Sequence, residues 1–196
     1  HGAIPHLAVD PLLAAAQCVT ALQSIVSRNV SPLQTAVVSV TAIQGGDAFN
    51  VIPQTVEMKG TLRTFDPTVR QVVVKRFEEI IQNTAVAMGC QAEIKLQRLT
   101  PALINDEHVA ARVQRVAQAL LPADTLEREF STMGAEDMAF FLEKVPGCFI
   151  FVGSANHELG LDAPHHHPRF DVDERALPHG AALLAAATVE FLSGSV

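Results

Sequence analysis

The sequence is poor in the features that mark several common classes of protein. Its three cysteines are odd in number and widely spread, which favours thiols in a reducing compartment over a disulfide framework. The formal net charge is −7 at pH 7, so the chain lacks the excess of positive charge that binds nucleic acid or an acidic membrane surface. The apolar run at residues 181–192 is too short to cross a bilayer, and no signal-peptide pattern is found. We therefore expect a cytoplasmic globular protein with neither a nucleic-acid nor a membrane partner.

A histidine-rich stretch, residues 163–171, is the most distinctive feature that the sequence does contain. It holds three consecutive histidines between Pro164 and Pro168. Neutral imidazole is the commonest metal ligand, and the flanking prolines restrict the backbone on either side. A tight metal site needs three or four ligands, however. The stretch is therefore either an exposed polar loop or one part of a metal site whose other ligands lie elsewhere.

The first half of the chain alternates helical and strand patterns. Asp10-Pro11 and Asp66-Pro67 each supply an N-cap followed by a proline at the first helical position, and Gly89 suits a helix C-terminus. The predicted elements are a helix over residues 7–29, strands over 35–43 and 55–64, a helix from 66 to 89 and a strand over 91–99. This order predicts a ferredoxin-like α+β domain whose first strand is missing or truncated, and would lie upstream of His1.

From residue 100 onward the pattern becomes that of a partial α/β layer. The predicted elements are a helix over residues 106–121 capped by Asn105, a strand over 126–130, a loop at 133–137 opening a helix to about 144, a strand over 148–152 and a helix from 178 to 192. The continuous apolar run at 148–152 is typical of a strand covered on both faces. We place a domain boundary between residues 99 and 106.

Three polar features outside the histidine stretch are candidates for substrate binding. Asn50 lies at the entrance to a strand, where its amide either bonds a substrate carbonyl or, more commonly, its own turn. Arg63 lies within a strand, and its planar guanidinium suits a carboxylate, although strand arginines more often face solvent. Glu136 and Asp137 open a helix, where acidic residues complement the helix dipole. Taken singly, these features define only an α/β protein.

The order of the motifs along the chain is more informative than any one of them. They occupy residues 1–6, 9–11, 27–28, 46 with 48–53, 60–65, 133–137, 145–147 and 166–171. In this order they resemble the M20 metallopeptidase/amidohydrolase family, in the branch of hippurate hydrolase, N-acyl-amino-acid deacylases and plant auxin-conjugate hydrolases. The resemblance spans nearly the whole chain.

The resemblance implies that the two halves of the chain belong to different domains. Residues 1–105 would be an inserted lid/dimerisation domain, and residues 106–196 the C-terminal segment of an α/β metallopeptidase catalytic domain. The intact protein would be a homodimer with two divalent metal ions (Zn, Mn, Co or Ni) in each subunit. It would hydrolyse the amide bond of N-acyl amino acids, small amides or peptides.

The same resemblance assigns roles to five residues. His1 would be catalytic, reaching into the partner subunit's active site to stabilise the developing oxyanion. Asn50 would lie near the scissile carbonyl, Arg63 would hold the substrate carboxylate, and Gly134 would line the substrate site. His166 would bind metal.

The chain departs from the family in its metal ligands. The upstream Cys/His-x-His motif, the Glu-Glu pair with the general base and a further histidine are not found in this sequence. His166, or His165 or His167 if the register shifts by one, cannot hold two metals alone. The chain also begins with His1 rather than methionine. We therefore expect the C-terminal half of such an enzyme, inactive alone, whose metal site is absent or incomplete without a missing N-terminal half.

Two alternatives come from other functional classes. The first is a non-enzymatic dimerisation or interaction fragment. The second is a binding protein that holds acyl-amino acids with Asn50 and Arg63, which is less favoured because the pocket would lack its other walls.

Overall fold

A computed structural model describes residues 1–122 and 125–194 as two compact units. The first unit comprises His1–Ala102 together with Thr132–Ala135, and the second comprises Leu103–Ser131 and the residues from Glu136 onward. The helices are α1 (Pro11–Ser24), α2 (Pro67–Ala87), α3 (Glu107–Leu120), α4 (Met138–Leu142) and α5 (Ala176–Leu192), and the strands are β1 (Ala36–Gln44) and β2 (Glu57–Thr64). No helix within the described ranges is long and apolar enough to span a membrane.

The helices of the first unit begin where the sequence predicts. The carboxylate of Asp10 accepts hydrogen bonds from two backbone N–H groups of α1, and Asp66 does the same for α2. Gly89 follows α2 with φ of 72°, a left-handed conformation that glycine adopts at little cost. The first helix is shorter than predicted, because residues Ile25–Asn29 form a π-helical turn instead of continuing α1.

The core of the first unit lies between α1, α2 and one face of the sheet. Leu22, Ile25 and Val73 are fully buried there. The strands β1 and β2 are antiparallel, and their core-facing residues include Val38 and Leu62. Because side chains alternate across a strand, Arg63 lies on the opposite face, which the helices leave uncovered.

Three predicted strands are wrong. Residues 91–99, 126–130 and 148–152 carry no strand, and the described residues contain a single two-stranded sheet in place of the predicted ferredoxin-like one. Ala92 and Ile94 still pack against the core, so the alternating apolar residues at 91–99 reflect burial of one side of this segment and not a strand. A strand also needs a neighbour with which to exchange backbone hydrogen bonds, and no described segment supplies one.

The second unit is held by packing between α3 and α5. Arg112 of α3 stacks its guanidinium 3.9 Å from the ring centre of Phe191 and donates from Nη2 to the carbonyl of Glu190. The predicted cap of α3 is wrong by one residue, since Asp106 accepts from Val109 N. Asn105 instead bonds both backbone groups of Phe149, which ties the apolar run to the start of α3.

Gly60 sets how closely β1 and β2 approach. A Cβ at this position would lie 2.2 Å from the carbonyl oxygen of Ser39. We expect Gly60→Ala to lower the free energy of unfolding by about 1–3 kcal/mol, because the strands must separate to admit the methyl group. Urea unfolding of the 196-residue chain measures the change.

Gly134→Ala is the matched control, since the added Cβ would meet only Thr132 atoms at 3.6 and 3.7 Å, an ordinary contact. It should change stability by less than about 0.5 kcal/mol. Equal losses in the two variants would contradict the close-approach argument.

Candidate active site

The side chain of Arg63 joins two segments that are far apart in sequence. Its Nη1 donates a 2.8 Å hydrogen bond to the carbonyl oxygen of Met133, and the loop Thr132–Ala135 folds with the first unit. Two predicted substrate residues, Arg63 and Gly134, are thereby brought close together. The remaining N–H groups of the half-buried guanidinium form a planar fork of the kind that binds carboxylates.

Gly134 is exposed, and its backbone N–H donates to Thr132 Oγ1 at 3.2 Å. An alanine would fit at this position without a clash in the described structure. The loop itself therefore does not require glycine here. A residue without a side chain leaves its backbone open to close approach by another group.

His1 and Asn50 also lie together. The backbone N–H of Gly2 donates to the carbonyl oxygen of Asn50 at 2.8 Å, so the start of the chain is pinned to the loop that carries Asn50. The N–H of Ala3 donates to His1 Nδ1 at 3.1 Å. Because Nδ1 accepts, the neutral imidazole carries its proton on Nε2, which leaves an exposed N–H donor.

The histidine stretch forms two consecutive turns in the second unit. His167 N donates to Pro164 O, and Phe170 N donates to His167 O. His166 has φ of 66° at the third position of the first turn, as in a type II turn. It is the only described non-glycine residue with positive φ, and this conformation costs a side-chain-bearing residue roughly 1–2 kcal/mol.

The neighbours of His166 are engaged locally. The ring of His165 packs edge-on against Phe170 with centroids 4.9 Å apart, and His167 Nδ1 accepts from Arg169 N at 3.1 Å. Neither contact involves the imidazole of His166. Each of the three histidines thus keeps at least one ring nitrogen outside these two contacts.

The described residues do not fit a two-metal centre by themselves. No group of three or more His, Cys, Asp or Glu side chains within residues 1–122 and 125–194 is arranged to hold a metal ion. Structural and catalytic zinc sites take at least three protein ligands. His166, the predicted metal ligand, is thus not grouped with two further ligands among the described residues.

Two of the three cysteines, Cys18 and Cys148, are poor candidates for a nucleophile. Cys18, Cys90 and Cys148 are free thiols, and burial raises the pKa of Cys18 and of Cys148. A raised pKa disfavours the thiolate, which is the reactive form.

Sequence reasoning overlooked a polar cluster next to the histidine turns. Asp173 accepts hydrogen bonds from the side chains of Asn156 and Arg175. Asn156 and Asp173 are 17 residues apart and meet only when the intervening loop closes. No local sequence pattern predicts such a pair, although Asp173 is recognisable in the sequence as an acidic residue shortly before α5.

The chain matches Peptidase family M20/M25/M40 over residues 9–190. It is 41% identical over 179 residues to N-acetyl-L-cysteine deacetylase of Bacillus subtilis, covering 90% of this chain and 41% of that protein. It is 35% identical over 196 residues to IAA-amino acid hydrolase ILR1-like 4 of Arabidopsis thaliana, covering 98% of this chain and 44% of that protein.

A solved structure agrees with these relatives. The crystal structure of a Bacillus subtilis protein described as a dinuclear metal binding peptidase from the M20 family has a TM-score of 0.71 and 34% identity, covering 94% of this chain and 47% of that one. By their names, these similar proteins are a deacetylase, a hydrolase and a peptidase. The chain belongs to Peptidase family M20/M25/M40, which confirms the resemblance carried by its motifs. It spans less than half the length of these relatives.

The left-handed backbone of His166 allows a test that separates the effect of its backbone conformation on stability from the effect of losing its imidazole. His166→Gly and His166→Val both remove the ring, but glycine adopts positive φ freely and a β-branched residue does not. We expect His166→Gly to keep or slightly raise the free energy of unfolding, and His166→Val to lower it by about 1–2 kcal/mol. Urea unfolding compares them, and equal stability of the two variants would contradict the assigned conformation.

Proposed function

We propose that this chain supplies the substrate-binding part and one metal ligand of an amidohydrolase that acts on N-acyl amino acids or related small amides and peptides. The proposal is supported by membership of the M20 family and by relatives named as deacetylases and amino acid hydrolases. The observation that supports it most is the hydrogen bond from Arg63 to Met133 O, because the guanidinium, a group that suits carboxylates, then lies beside the exposed backbone of Gly134. Residues 1–105 would act as a lid and dimerisation domain, and residues 106–196 as part of the catalytic domain.

Arg63 would bind the free carboxylate of the substrate. A guanidinium–carboxylate pair can make two parallel hydrogen bonds, which fix orientation as well as position. The bond from Nη1 to Met133 O uses part of the fork and holds the guanidinium still. A pre-oriented arginine loses less conformational entropy when the substrate arrives.

His1 and Asn50 would act at the scissile amide. The Nε2–H group of His1 is a donor suited to the negative charge that develops on the carbonyl oxygen during hydrolysis. Asn50 would offer its side-chain amide to the same substrate carbonyl from the adjoining loop. In the proposed homodimer, both residues would serve the active site of the partner subunit.

A pair of divalent metal ions, either Zn, Mn, Co or Ni, belongs to the proposed intact subunit, with His166 as the ligand from this chain. Since the described residues provide no group of three ligands, the 196 residues alone should hydrolyse nothing. Without the other metal ligands, the chain would behave as a dimerisation fragment. We place the protein in the cytoplasm, where its free thiols would stay reduced.

The role of Arg63 is tested with the complete metal-loaded subunit and two substrates. Arg63→Ala should raise KM for an N-acetyl amino acid by roughly 10–100-fold, the value of a hydrogen bond to a charged group. KM for the methyl ester of the same compound, which has no carboxylate, should change little. Steady-state kinetics on both substrates measure the difference.

Arg70→Ala, which removes an exposed arginine of α2, is the control and should leave both KM values unchanged. Arg63→Lys keeps the charge without the planar fork and should fall between wild type and Arg63→Ala. An equal loss on acid and ester would refute carboxylate binding by Arg63.

Whether His1 acts across the dimer is tested with mixed subunits. His1→Ala should lower kcat by about 10²-fold with little change in KM, as for removal of an oxyanion donor. Mixing this variant with His166→Gly should restore activity, because the intact metal site of one subunit then receives His1 from the other. If His1 acted within its own subunit, both sites of the mixed dimer would stay inactive.

A further inference from the structure

We propose that Asn156, Asp173 and Arg175 form a clamp that closes the loop 156–173 and so holds His166 in its left-handed turn. In this proposal the three are positioning residues, which act through the backbone of the loop. Any contribution of these residues to catalysis rests on the proposed function of His166 as a metal ligand. Their contribution to the conformation of the loop does not depend on that function.

The carboxylate of Asp173 is the centre of the clamp. It accepts from Asn156 Nδ2 at 2.7 Å, from Arg175 Nη2 at 2.6 Å and from Arg175 Nε at 2.9 Å. The Asp173 side chain is only 14% exposed, whereas Arg175 is 73% exposed. These hydrogen bonds, from Arg175 first and Asn156 next, hold the pKa of Asp173 well below its usual range, so the carboxylate stays charged at neutral pH.

The backbone closes the loop at the same place. Asp173 N donates to Ser154 O at 2.9 Å, while Asn156 and Leu161 exchange backbone hydrogen bonds of 2.8 and 2.9 Å. The side chain of Asn156 also accepts from Leu159 N at 3.2 Å. Asn156 therefore joins a small hairpin on one side to Asp173 on the other.

Asp173 also contacts the start of the helix that follows, since its carboxylate accepts from Arg175 N at 3.0 Å and its carbonyl oxygen accepts from Ala176 N at 3.0 Å. The helix α5 has Arg175 at its N-cap position, with no side-chain cap hydrogen bond. Asp173 lies two residues earlier and directs its side chain to Asn156 and Arg175. The bond from Asn156 is the side-chain contact of Asp173 that spans the loop, and the bonds from Arg175 fix the carboxylate in position to accept it.

The turn inside the loop needs such support. His166 holds a conformation that costs a non-glycine residue roughly 1–2 kcal/mol, and one hydrogen bond closes its turn. Strained backbone persists where the surrounding structure over-determines it. A loop with anchored ends has fewer alternative conformations, so the strained turn competes with fewer relaxed ones.

The experiment measures the loop directly. Hydrogen exchange is followed at the amides of His167 and Phe170, which close the two turns. Asn156→Ala should speed exchange at both amides by about tenfold or more, while amides in α3 keep their wild-type rates and show that the unit is still folded. Asp173→Asn, which keeps the size of the side chain but removes its charge, should have a smaller effect in the same direction.

Asp162→Asn is the matched control. It removes the 2.9 Å pair with His157, which lies in the same loop but is exposed and outside the clamp. Exchange at His167 and Phe170 should stay at the wild-type rate. Equal acceleration by Asp162→Asn, or unchanged exchange in Asn156→Ala, would overturn the clamp.

Zinc titration of the complete subunit separates this proposal from the proposed function. Asn156→Ala should weaken Zn²⁺ binding about 10–100-fold, as loss of a ligand-orienting group does, and should cause no further loss in a His166→Gly background. A further loss there would show a general structural effect and overturn the action through His166. If His166→Gly itself left Zn²⁺ affinity unchanged, the metal role of His166 would fail, and the exchange rates alone would decide the clamp.

Discussion

The hydrogen bond from Arg63 to the carbonyl of Met133 is the interaction on which the account of the site depends. It joins β2 to a loop 70 residues later in the chain and places two predicted substrate residues side by side. The bond in turn depends on the sheet. Gly60 lets β1 and β2 approach closely, and the burial of α1 and α2 on one face leaves the face of Arg63 open. A change in strand register would turn the guanidinium into the core.

Features that are encoded within a few residues were predictable from the sequence. The Asp-Pro pairs at the starts of α1 and α2, and Gly89 after α2, act through contacts within one helical turn. The family was predictable for a different reason. Each motif alone has a simpler explanation, but the order of the motifs along the whole chain does not. The family match over residues 9–190 confirms the family that this order predicts.

Features that depend on distant partners were not predictable. Residues 148–152 have the composition of a buried strand, yet composition cannot supply the neighbouring backbone that makes a strand. Asn105 was expected to cap α3 and instead bonds Phe149, 44 residues away. The contact between Asn156 and Asp173 has the same character, because it forms only when a loop closes. The roles assigned to His1, Asn50, Arg63, Gly134 and His166 stay predictions.

A crystal structure of the complete subunit with a non-hydrolysable N-acyl amino acid analogue would test the central claim most directly. The account predicts that the carboxylate of the analogue lies within about 3.2 Å of the Arg63 guanidinium, next to the backbone of Gly134. A carboxylate bound by other residues, with Arg63 still bonded only to Met133, would contradict it.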